Sequence, residues 1–211
     1  MLSPLQLRVA ALFAGLSEAS GFVLAGGAAL IARGEIDRLT RDLDFFATDA
    51  AQVDQVVPIF EATVRNAGLT VSEVQVAAGF ARLVVTDGDD RTGVDIAADA
   101  RLLPADRTAL GLLLSVEELA VDKVLAVFGR AEARDFVDLA ALEPRFGLEH
   151  LCELAVAKDA GFDRQVFFEM LGRFGRLPRD EFDVDEDTFQ TTAKSVRRWR
   201  QALRGGPPPG S

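Results

Sequence analysis

The stretch GGAALIARGEIDRLTRDLDFF, residues 26–46, begins with two glycines and ends with two closely spaced aspartates. The apolar run GFVLA that leads into it is typical of a short buried strand, and GAALIAR is typical of a helix. RDLDFFA alternates polar and apolar residues, which predicts a second strand. The stretch therefore predicts a strand, a glycine turn, a helix and a second strand that carries Asp42 and Asp44.

The two aspartates are predicted to share one face of their strand. Side chains alternate along a strand, so Asp42 and Asp44 point the same way with α-carbons about 7 Å apart, while Leu43 and Phe45 point to the opposite face. Two like charges at this spacing repel unless a cation joins them, and Mg²⁺ (or Mn²⁺) between carboxylates is a common solution where phosphates are handled. A solvated face of an edge strand is the alternative interpretation, because the D-x-D pattern is short.

The glycine pair favours the metal interpretation. Gly26 and Gly27 let the backbone approach a ligand closely and leave the amide groups at the start of the helix to bind an anion such as a triphosphate. An ordinary tight turn would also need glycine. Followed by Arg41, Asp42 and Asp44 on the next strand, however, the glycines place a phosphate cradle beside a metal pair, which nucleotidyl transfer requires.

Composition limits the classes of function. The chain has 211 residues, of which 49% are hydrophobic, enough for a substantial core in one compact domain or two small lobes. The net charge of -10 argues against positive potential over the whole surface, so any contact with nucleic acid must be local. Cys152 is the single cysteine, which excludes a disulfide framework or a cysteine-rich zinc site and fits a reducing compartment.

The opening MLSPLQLRVAALFAGL is predicted to be an amphipathic helix and not a secretion signal or a membrane span. Gln6 and Arg8 interrupt its apolar run, which is also too short to cross a bilayer. Ser3 is a good N-cap and Pro4 suits the first helical position. We therefore expect a cytoplasmic protein with no membrane partner.

The rest of the chain predicts an α/β (α+β) architecture with a helical second half. A helix with the apolar spacing of AAQVDQVVPIFEATVRNAG precedes three strand-like runs, TVSEVQVA, ARLVVTD and TGVDIAAD, and from Ser115 onward the pattern is helical. We therefore predict an α/β lobe with a mixed sheet over residues 1–108, a helical lobe over residues 109–204 and a disordered tail over residues 205–211.

Residues 24–46, LAGGAALIARGEIDRLTRDLDFF, resemble the GG(S/T)…R-x-(S/T)-x-D-x-D signature of minimal nucleotidyltransferases, specifically the AbiEii/AbiGii and MenT-like toxin family of type IV-like toxin–antitoxin systems. The stretch EELAVDKVLAVFGRAEARDFVDLAAL, residues 117–142, resembles the helical-lobe motifs of the same family, a lysine on one helix and R-D-x-x-D on the next. One departure is Ala28, where many relatives carry a hydroxyl. The resemblance implies a minimal nucleotidyltransferase fold.

The second motif adds candidate residues. Lys123 lies on an apolar helical stripe, where its ammonium either extends to solvent or reaches nucleotide phosphates and neutralises charge during transfer. Asp135 and Asp138 share a helix face, as a surface ion-pair patch or as part of the site. The resemblance favours Lys123 and Asp138 as site members, with Asp135 and Arg134 holding the arrangement or contacting the base or ribose.

Three further candidates are a carboxylate and a basic run outside these motifs and a threonine within the first of them. Asp95, on a predicted strand, is a third carboxylate that would complete the metal site and take the proton of the attacking hydroxyl, as in polymerase-like nucleotidyltransferases. The stretch KSVRRWRQALR is the one concentrated basic run, in which Arg197, Arg198 and Arg200 with Trp199 suit an RNA backbone or an unstacked base; a solvated helix face is the alternative. Thr40, just before the aspartates, is a candidate regulatory phosphorylation site, or it caps the turn.

These residues predict an enzyme that uses a metal ion and an NTP. The resemblance implies transfer of a nucleoside monophosphate to tRNA, at its 3′ end, which would block translation until a cognate antitoxin intervenes; a kinase is one candidate for that antitoxin. Two alternatives stay open: transfer to a small molecule or a protein hydroxyl, and a non-catalytic nucleotide-binding scaffold.

Overall fold

The computed structural model describes residues 1–204. The tail GGPPPGS, predicted to be disordered, lies outside the described residues. The chain divides into two compact units: Met1–Ser115, here called the sheet unit, and a second that begins at Val116, here called the helical unit. The predicted combination of a mixed-sheet α/β lobe with a helical lobe is confirmed.

The sheet unit contains three α-helices and seven strands. In chain order they are α1 (Pro4–Ala14), β1 (Val23–Ala25), α2 (Gly26–Ala32), β2 (Asp42–Ala47), α3 (Ala50–Asn66), β3 (Thr70–Ala77), β4 (Phe80–Asp87), β5 (Asp90–Ala98), β6 (Asp106–Thr108) and β7 (Gly111–Leu113). A turn of 3-10 helix, Ser17–Ala19, follows α1. The strands form one sheet in the order β3-β4-β5-β2-β1-β7-β6.

Strand β2 is the central strand of this sheet. It runs antiparallel to β1 and parallel to β5, and β4 runs antiparallel to β5. Residues that lie directly opposite one another on neighbouring strands point to the same face of a sheet. The register therefore aligns side chains from β1, β2, β5 and β4 in rows that cross the middle of the sheet.

The core of the sheet unit lies on the face that α1 and α3 cover. Leu43 and Phe45 point into it and are buried, as the alternation of β2 predicts. Phe13 of α1 stacks on Phe45 with ring centroids 3.9 Å apart and meets Phe60 of α3 edge to face. Because this face is apolar, the opposite face of β2 is left for its polar residues.

The start of α1 follows the capping pattern predicted from its sequence. The Ser3 hydroxyl accepts a hydrogen bond from the backbone N–H of Gln6, and the Gln6 side chain accepts one from the backbone N–H of Ser3. Pro4 occupies the first turn. Within residues 1–204, no helix is long and apolar enough to cross a bilayer.

The division between the units falls after Ser115, seven residues beyond the boundary at residue 108 that the sequence pattern predicted. The reason is the short hairpin of β6 and β7, which the sequence pattern did not indicate. Strand β7 pairs in parallel with β1 and so extends the sheet. The Arg33 side chain, at the end of α2, donates to the carbonyls of Leu113 and Leu114 and holds this hairpin to the unit.

The helical unit contains five α-helices within the described part of the chain. They are α4 (Val116–Gly129), α5 (Ala133–Phe146), α6 (Leu148–Lys158), α7 (Arg164–Leu171) and α8 (Glu186–Arg204). Helix α4 packs against α5, α6 and α7, and α8 packs against α5 and α7. Phe136, Phe167 and Trp199 are buried in the core of this unit.

Candidate active site

Asp42 and Asp44 lie half-buried on the open face of β2. Asp44 is opposite Ala25 of β1 on one side and Asp95 of β5 on the other, and Asp42 is opposite Gly93 of β5. The predicted shared face of the two aspartates is thus confirmed, and the solvated edge strand does not apply because β2 is central. Two half-buried carboxylates on the open face of a central strand suit a cation or hydrogen-bond donors.

The glycine pair lies directly against the second aspartate. Gly26 and Gly27 are the first residues of α2, and Gly26 has a left-handed backbone with φ of +60°. A Cβ at residue 26 would come 2.0 Å from Oδ2 of Asp44, so only glycine fits there. A Cβ on Gly27 would come 3.0 Å from Nη2 of Arg38 and 3.1 Å from Oγ1 of Thr40. The glycines therefore bring the backbone of α2 next to Asp44.

The segment that leads into β2 is anchored by hydrogen bonds. The side-chain amide of Gln6 donates to the Thr40 carbonyl (3.0 Å), and the Thr40 hydroxyl donates to the Asp42 carbonyl (3.4 Å). The Arg41 carbonyl accepts from the Thr92 hydroxyl and from the backbone N–H of Gly93, both at 3.0 Å. The Thr40 hydroxyl thus stabilises the turn before β2, as the alternative interpretation of this residue predicted. The Arg41 side chain is exposed.

Asp95 is held by an arginine that no sequence motif indicated. Arg82 of β4 lies opposite Asp95, and its Nε and Nη2 donate to the two carboxylate oxygens at 2.9 and 2.6 Å. The hydrogen bonds and the charge of Asp95 raise the pKa of Arg82, and the charges of Asp42 and Asp44 add to this effect. All three carboxylates therefore act on one guanidinium. Only the strand register, which pairs residues 82 and 95, could have revealed it.

The aspartate pair fits a hard divalent cation such as Mg²⁺. Both ligands are carboxylates, and each is flanked by a glycine: a Cβ on Gly93 would come 2.3 Å from Oδ1 of Asp42, as one on Gly26 would meet Asp44. Mg²⁺ takes one or two protein carboxylates and completes its octahedron with water and substrate phosphates. Asp95 fits less well, because Arg82 occupies both of its oxygens. Across residues 1–204, no three metal-ligating side chains converge on one point.

In the helical unit, Lys123 joins two buried aspartates of α5. Its ammonium lies 2.8 Å from Oδ2 of Asp138 and 3.5 Å from Oδ1 of Asp135. Both carboxylates are fully buried and the Lys123 side chain is 7% exposed. The alternatives in which Lys123 extends to solvent and the aspartates form a surface patch are therefore wrong. Taking such charges out of water is costly, and their mutual pairing offsets that cost.

A second arginine that was missed completes this cluster. Arg130 donates from Nε and Nη2 to the two oxygens of Asp135 at 2.9 and 3.0 Å. Two cations thus face two buried carboxylates. Arg134, predicted to hold the arrangement or to contact the base or ribose, is exposed, and its Nε lies 2.9 Å from the carboxylate of Glu132. The prediction that Asp135 helps to hold the arrangement agrees with its contacts to both Lys123 and Arg130.

Trp199, the aromatic residue within the basic run of α8, does not lie on the surface. Trp199 is 1% exposed, so the prediction that it offers a surface for an unstacked base is wrong: the amphipathic helix turns this position into the core. Arg198 pairs with Glu143, and the Arg200 guanidinium lies over the ring of Phe168, 4.9 Å from its centroid. Arg197 is exposed. Contact between these arginines and RNA stays a prediction.

Comparison with known proteins gives a family. The profile of the family described as "Nucleotidyl transferase AbiEii toxin, Type IV TA system" matches residues 10–209. Among curated proteins, none matches the chain significantly.

Solved structures share the fold at low sequence identity. MenT4, a nucleotidyltransferase toxin from Mycobacterium tuberculosis, is 19% identical with a TM-score of 0.57, over 93% of this chain and 90% of that one. JHP933 from Helicobacter pylori is 17% identical with a TM-score of 0.56, over 97% and 96%. A putative nucleotidyltransferase from H. pylori is 16% identical with a TM-score of 0.57, over 97% and 98%.

The family match covers almost the whole chain, and it includes both the glycine and aspartate stretch of the sheet unit and the lysine and aspartate cluster of the helical unit. The enzyme class expected from the sequence is thereby confirmed. The chain belongs to the AbiEii family of nucleotidyltransferase toxins of type IV toxin–antitoxin systems.

Proposed function

We propose that the enzyme transfers a nucleoside monophosphate from an NTP to an RNA acceptor, the 3′ end of tRNA, and thereby blocks translation. The observation that carries the proposal is the aspartate pair on the open face of β2, with the backbone of Gly26 directly against Asp44. A polyphosphate beside a cation held by two carboxylates is the arrangement that nucleotidyl transfer needs.

In this reaction an oxygen of the acceptor hydroxyl forms a bond to the α-phosphorus of the NTP. The bond from that phosphorus to the bridging oxygen breaks, and pyrophosphate leaves. The hydroxyl proton passes to water; the sequence predicted Asp95 as the base, but Arg82 donates to both of its carboxylate oxygens. Asp42 and Asp44 would hold Mg²⁺ (or Mn²⁺), which when bound offsets the negative charge that develops on the phosphate oxygens. Gly26, Gly27 and Arg41 would contact the triphosphate.

Lys123 and Asp138 remain proposed site residues on the strength of the family resemblance. Their ion pair, with a lysine ammonium 2.8 Å from a fully buried carboxylate, is a preorganised charge arrangement. Asp135 and Arg130 hold that arrangement from the other side. We propose that Arg134, which is exposed, contacts the base or ribose of the nucleotide.

A labelled-transfer assay tests the function. The protein is incubated with each α-labelled NTP, Mg²⁺ and total cellular RNA, and label is expected in the tRNA fraction. Label in protein or in a small molecule would instead support those acceptors, and binding of NTP without any transfer would support a non-catalytic scaffold. Repeating the assay with tRNA lacking its 3′ terminal nucleotides tests the position of transfer.

The toxin family implies an antitoxin, and we propose Thr40 as a point of control. Its hydroxyl lies two residues before Asp42, in contact with the carbonyl of that residue. A phosphate there adds a charge of about -2 beside carboxylates that must share a metal with the triphosphate. Mass spectrometry of toxin produced together with its antitoxin tests this: unmodified Thr40 in fully inhibited material would exclude the switch. A cytoplasmic location stays a prediction.

A further inference from the structure

Four residues form a row across the open face of the sheet. Ala25 of β1 is opposite Asp44 of β2, Asp44 is opposite Asp95 of β5, and Asp95 is opposite Arg82 of β4. Neighbouring strands lie about 4.8 Å apart, so the backbone of Arg82 lies about 10 Å from that of Asp44 and about 14 Å from that of Ala25. Gly26 follows Ala25 directly. The glycine turn and Arg82 therefore flank Asp44 on opposite sides.

The Arg82 guanidinium is both held and open to a ligand. Two parallel hydrogen bonds to Asp95 fix its plane, yet the side chain is 51% exposed, while that of Asp95 is 18% exposed. Arginine has five N–H donors, and only two are used by Asp95. A guanidinium restrained in this way loses little freedom when it binds a phosphate with its remaining donors.

Further positive charge lies on the same side of the aspartates. Arg41 and Arg91 line an open cleft whose other walls include Asp42, Val84 and Gly93. Val84 and Gly93 are opposite each other on β4 and β5, in the row next to that of Arg82 and Asp95. Arg41 is assigned above to the triphosphate, so Arg82 on β4 and Arg91 on β5 are the exposed arginines on the side of the aspartates away from the glycine turn. In a chain with a net charge of -10, they favour an anionic ligand at that place.

The geometry of phosphoryl transfer assigns a side to each substrate. The attacking and leaving oxygens lie roughly in line through the phosphorus, so the acceptor approaches from the side opposite the leaving pyrophosphate. If the triphosphate lies at the glycine turn, on the β1 side of Asp44, the acceptor comes from the β5 and β4 side. That side carries Arg82.

We propose that Arg82, positioned by Asp95, binds a phosphate of the RNA acceptor close to the attacking hydroxyl. This inference rests on the proposed function and adds the acceptor site to it. Asp95 is then a positioning residue for Arg82, in preference to the third metal ligand predicted from the sequence. The rival source of the same chemistry is the triphosphate of the NTP, and the experiment separates the two.

The test measures binding of labelled bulk deacylated tRNA in EDTA, so that metal-dependent turnover plays no part. Arg82→Gln should raise the Kd for tRNA about tenfold, because a charge-assisted contact is lost. It should also lower the slope of log K against log salt concentration by about one, which corresponds to one phosphate contact. Binding of a fluorescent NTP should be unchanged. Arg107→Gln is the matched control, since this exposed arginine lies on β6 at the far edge of the sheet.

Arg82→Lys separates charge from geometry. It keeps the positive charge but loses the planar guanidinium with its parallel N–H donors. It should therefore retain the salt dependence of tRNA binding and recover only part of the affinity for tRNA. An unchanged Kd for tRNA in Arg82→Gln would overturn the inference. Weaker NTP binding with unchanged tRNA binding would overturn it too, and would assign Arg82 to the triphosphate.

Asp95→Asn tests the positioning role. It should raise KM for tRNA to the level seen in Arg82→Gln and leave KM for NTP and the Mg²⁺ requirement unchanged. Adding Asp95→Asn to Arg82→Gln should have no further effect on KM for tRNA, because the two residues act as one unit. A higher Mg²⁺ requirement with loss of kcat would instead make Asp95 a metal ligand. If the wild type neither labels nor binds tRNA, the proposed function fails as well; normal labelling with unaffected variants overturns the acceptor site alone.

Discussion

The Asp44 carboxylate occupies the space in which a side chain at residue 26 would begin, since a Cβ on Gly26 would come 2.0 Å from Oδ2. The Asp44 carboxylate thus brings together the two ends of the glycine and aspartate stretch, because the turn that starts α2 lies directly against a side chain of β2. Because Gly26 also has a φ of +60°, both its backbone conformation and its lack of a side chain are needed there.

Gly26→Ala should abolish nucleotidyl transfer by displacing Asp44. Gly34→Ala is the matched control: Gly34 also has a positive φ, +72°, but a Cβ there meets nothing within 4 Å. Both variants carry backbone strain of about 1 kcal/mol, and only the first disturbs the carboxylate. Thermal unfolding and transfer rates check this. Equal loss of activity in the two variants would mean that strain alone is responsible.

Asp42→Asn and Asp44→Asn should each reduce transfer by several orders of magnitude while the protein stays folded. Removing one of two repelling carboxylates costs no core packing, because both lie on the open face of β2. The check is initial rate over a Mg²⁺ titration, with circular dichroism as the control for folding. Near-normal rates in both variants would refute the metal assignment.

Lys123→Ala should destabilise the helical unit by about 3–5 kcal/mol, because it leaves Asp135 and Asp138 buried without their shared cation. Lys194→Ala, which removes an exposed lysine of α8, should change stability by less than about 0.5 kcal/mol. Urea unfolding followed by fluorescence of Trp199, the single tryptophan, reports on this unit. Similar values for the two variants would contradict the buried cluster.

Lys123→Ala should also lower turnover more than NTP affinity, if its ammonium acts mainly in the transition state. This is measured at a temperature at which the variant is fully folded. Loss of NTP affinity with unchanged turnover would make Lys123 a ground-state contact, and no change in either would leave it a structural residue.

Charge reversal of Arg197, Arg198 and Arg200 together should weaken RNA binding and flatten its salt dependence without changing NTP binding. Arg197 should account for most of the effect, because Arg198 already pairs with Glu143 and Arg200 lies over Phe168. Salt titrations of tRNA binding by Arg197→Glu and by the triple variant test this. Identical slopes in wild type and triple variant would make α8 a solvated face.

Stability should fall between about pH 9 and about pH 11 through Cys152. Burial raises the pKa of this thiol from 9.0 to about 11, so the folded protein keeps the proton that the unfolded chain loses first as the pH rises. Because only the native state still holds this proton between the two pKa values, the free energy of unfolding decreases as the pH rises through this window. Urea unfolding at several pH values should show a shallower decline in Cys152→Ala than in wild type. Parallel curves would contradict the shift.

Local patterns in the sequence were sufficient for the elements of the sheet unit around the site. The alternation in RDLDFFA placed Asp42 and Asp44 on one face and Leu43 on the other, because strand geometry depends only on neighbours in the chain. The Gly-Gly pair marked the turn for a similar reason, since a positive φ is a property of one residue. The short strands β6 and β7 escaped prediction because three residues carry too little periodicity and, unlike the equally short β1, they are not fully buried apolar runs.

What the sequence by itself determined is therefore which face each side chain takes on its own strand or helix: the shared face of the two aspartates, and the apolar stripe that carries Lys123. The tertiary structure alone decided the partners. Arg82 meets Asp95 because β4 and β5 pair in one particular register, Lys123 meets Asp138 because α4 packs on α5, and Trp199 is buried because α8 turns that side to the core. Hydrophobic periodicity describes one helix or strand at a time. The role of a charged side chain depends on residues of other elements, which only the folded chain brings within hydrogen-bond distance.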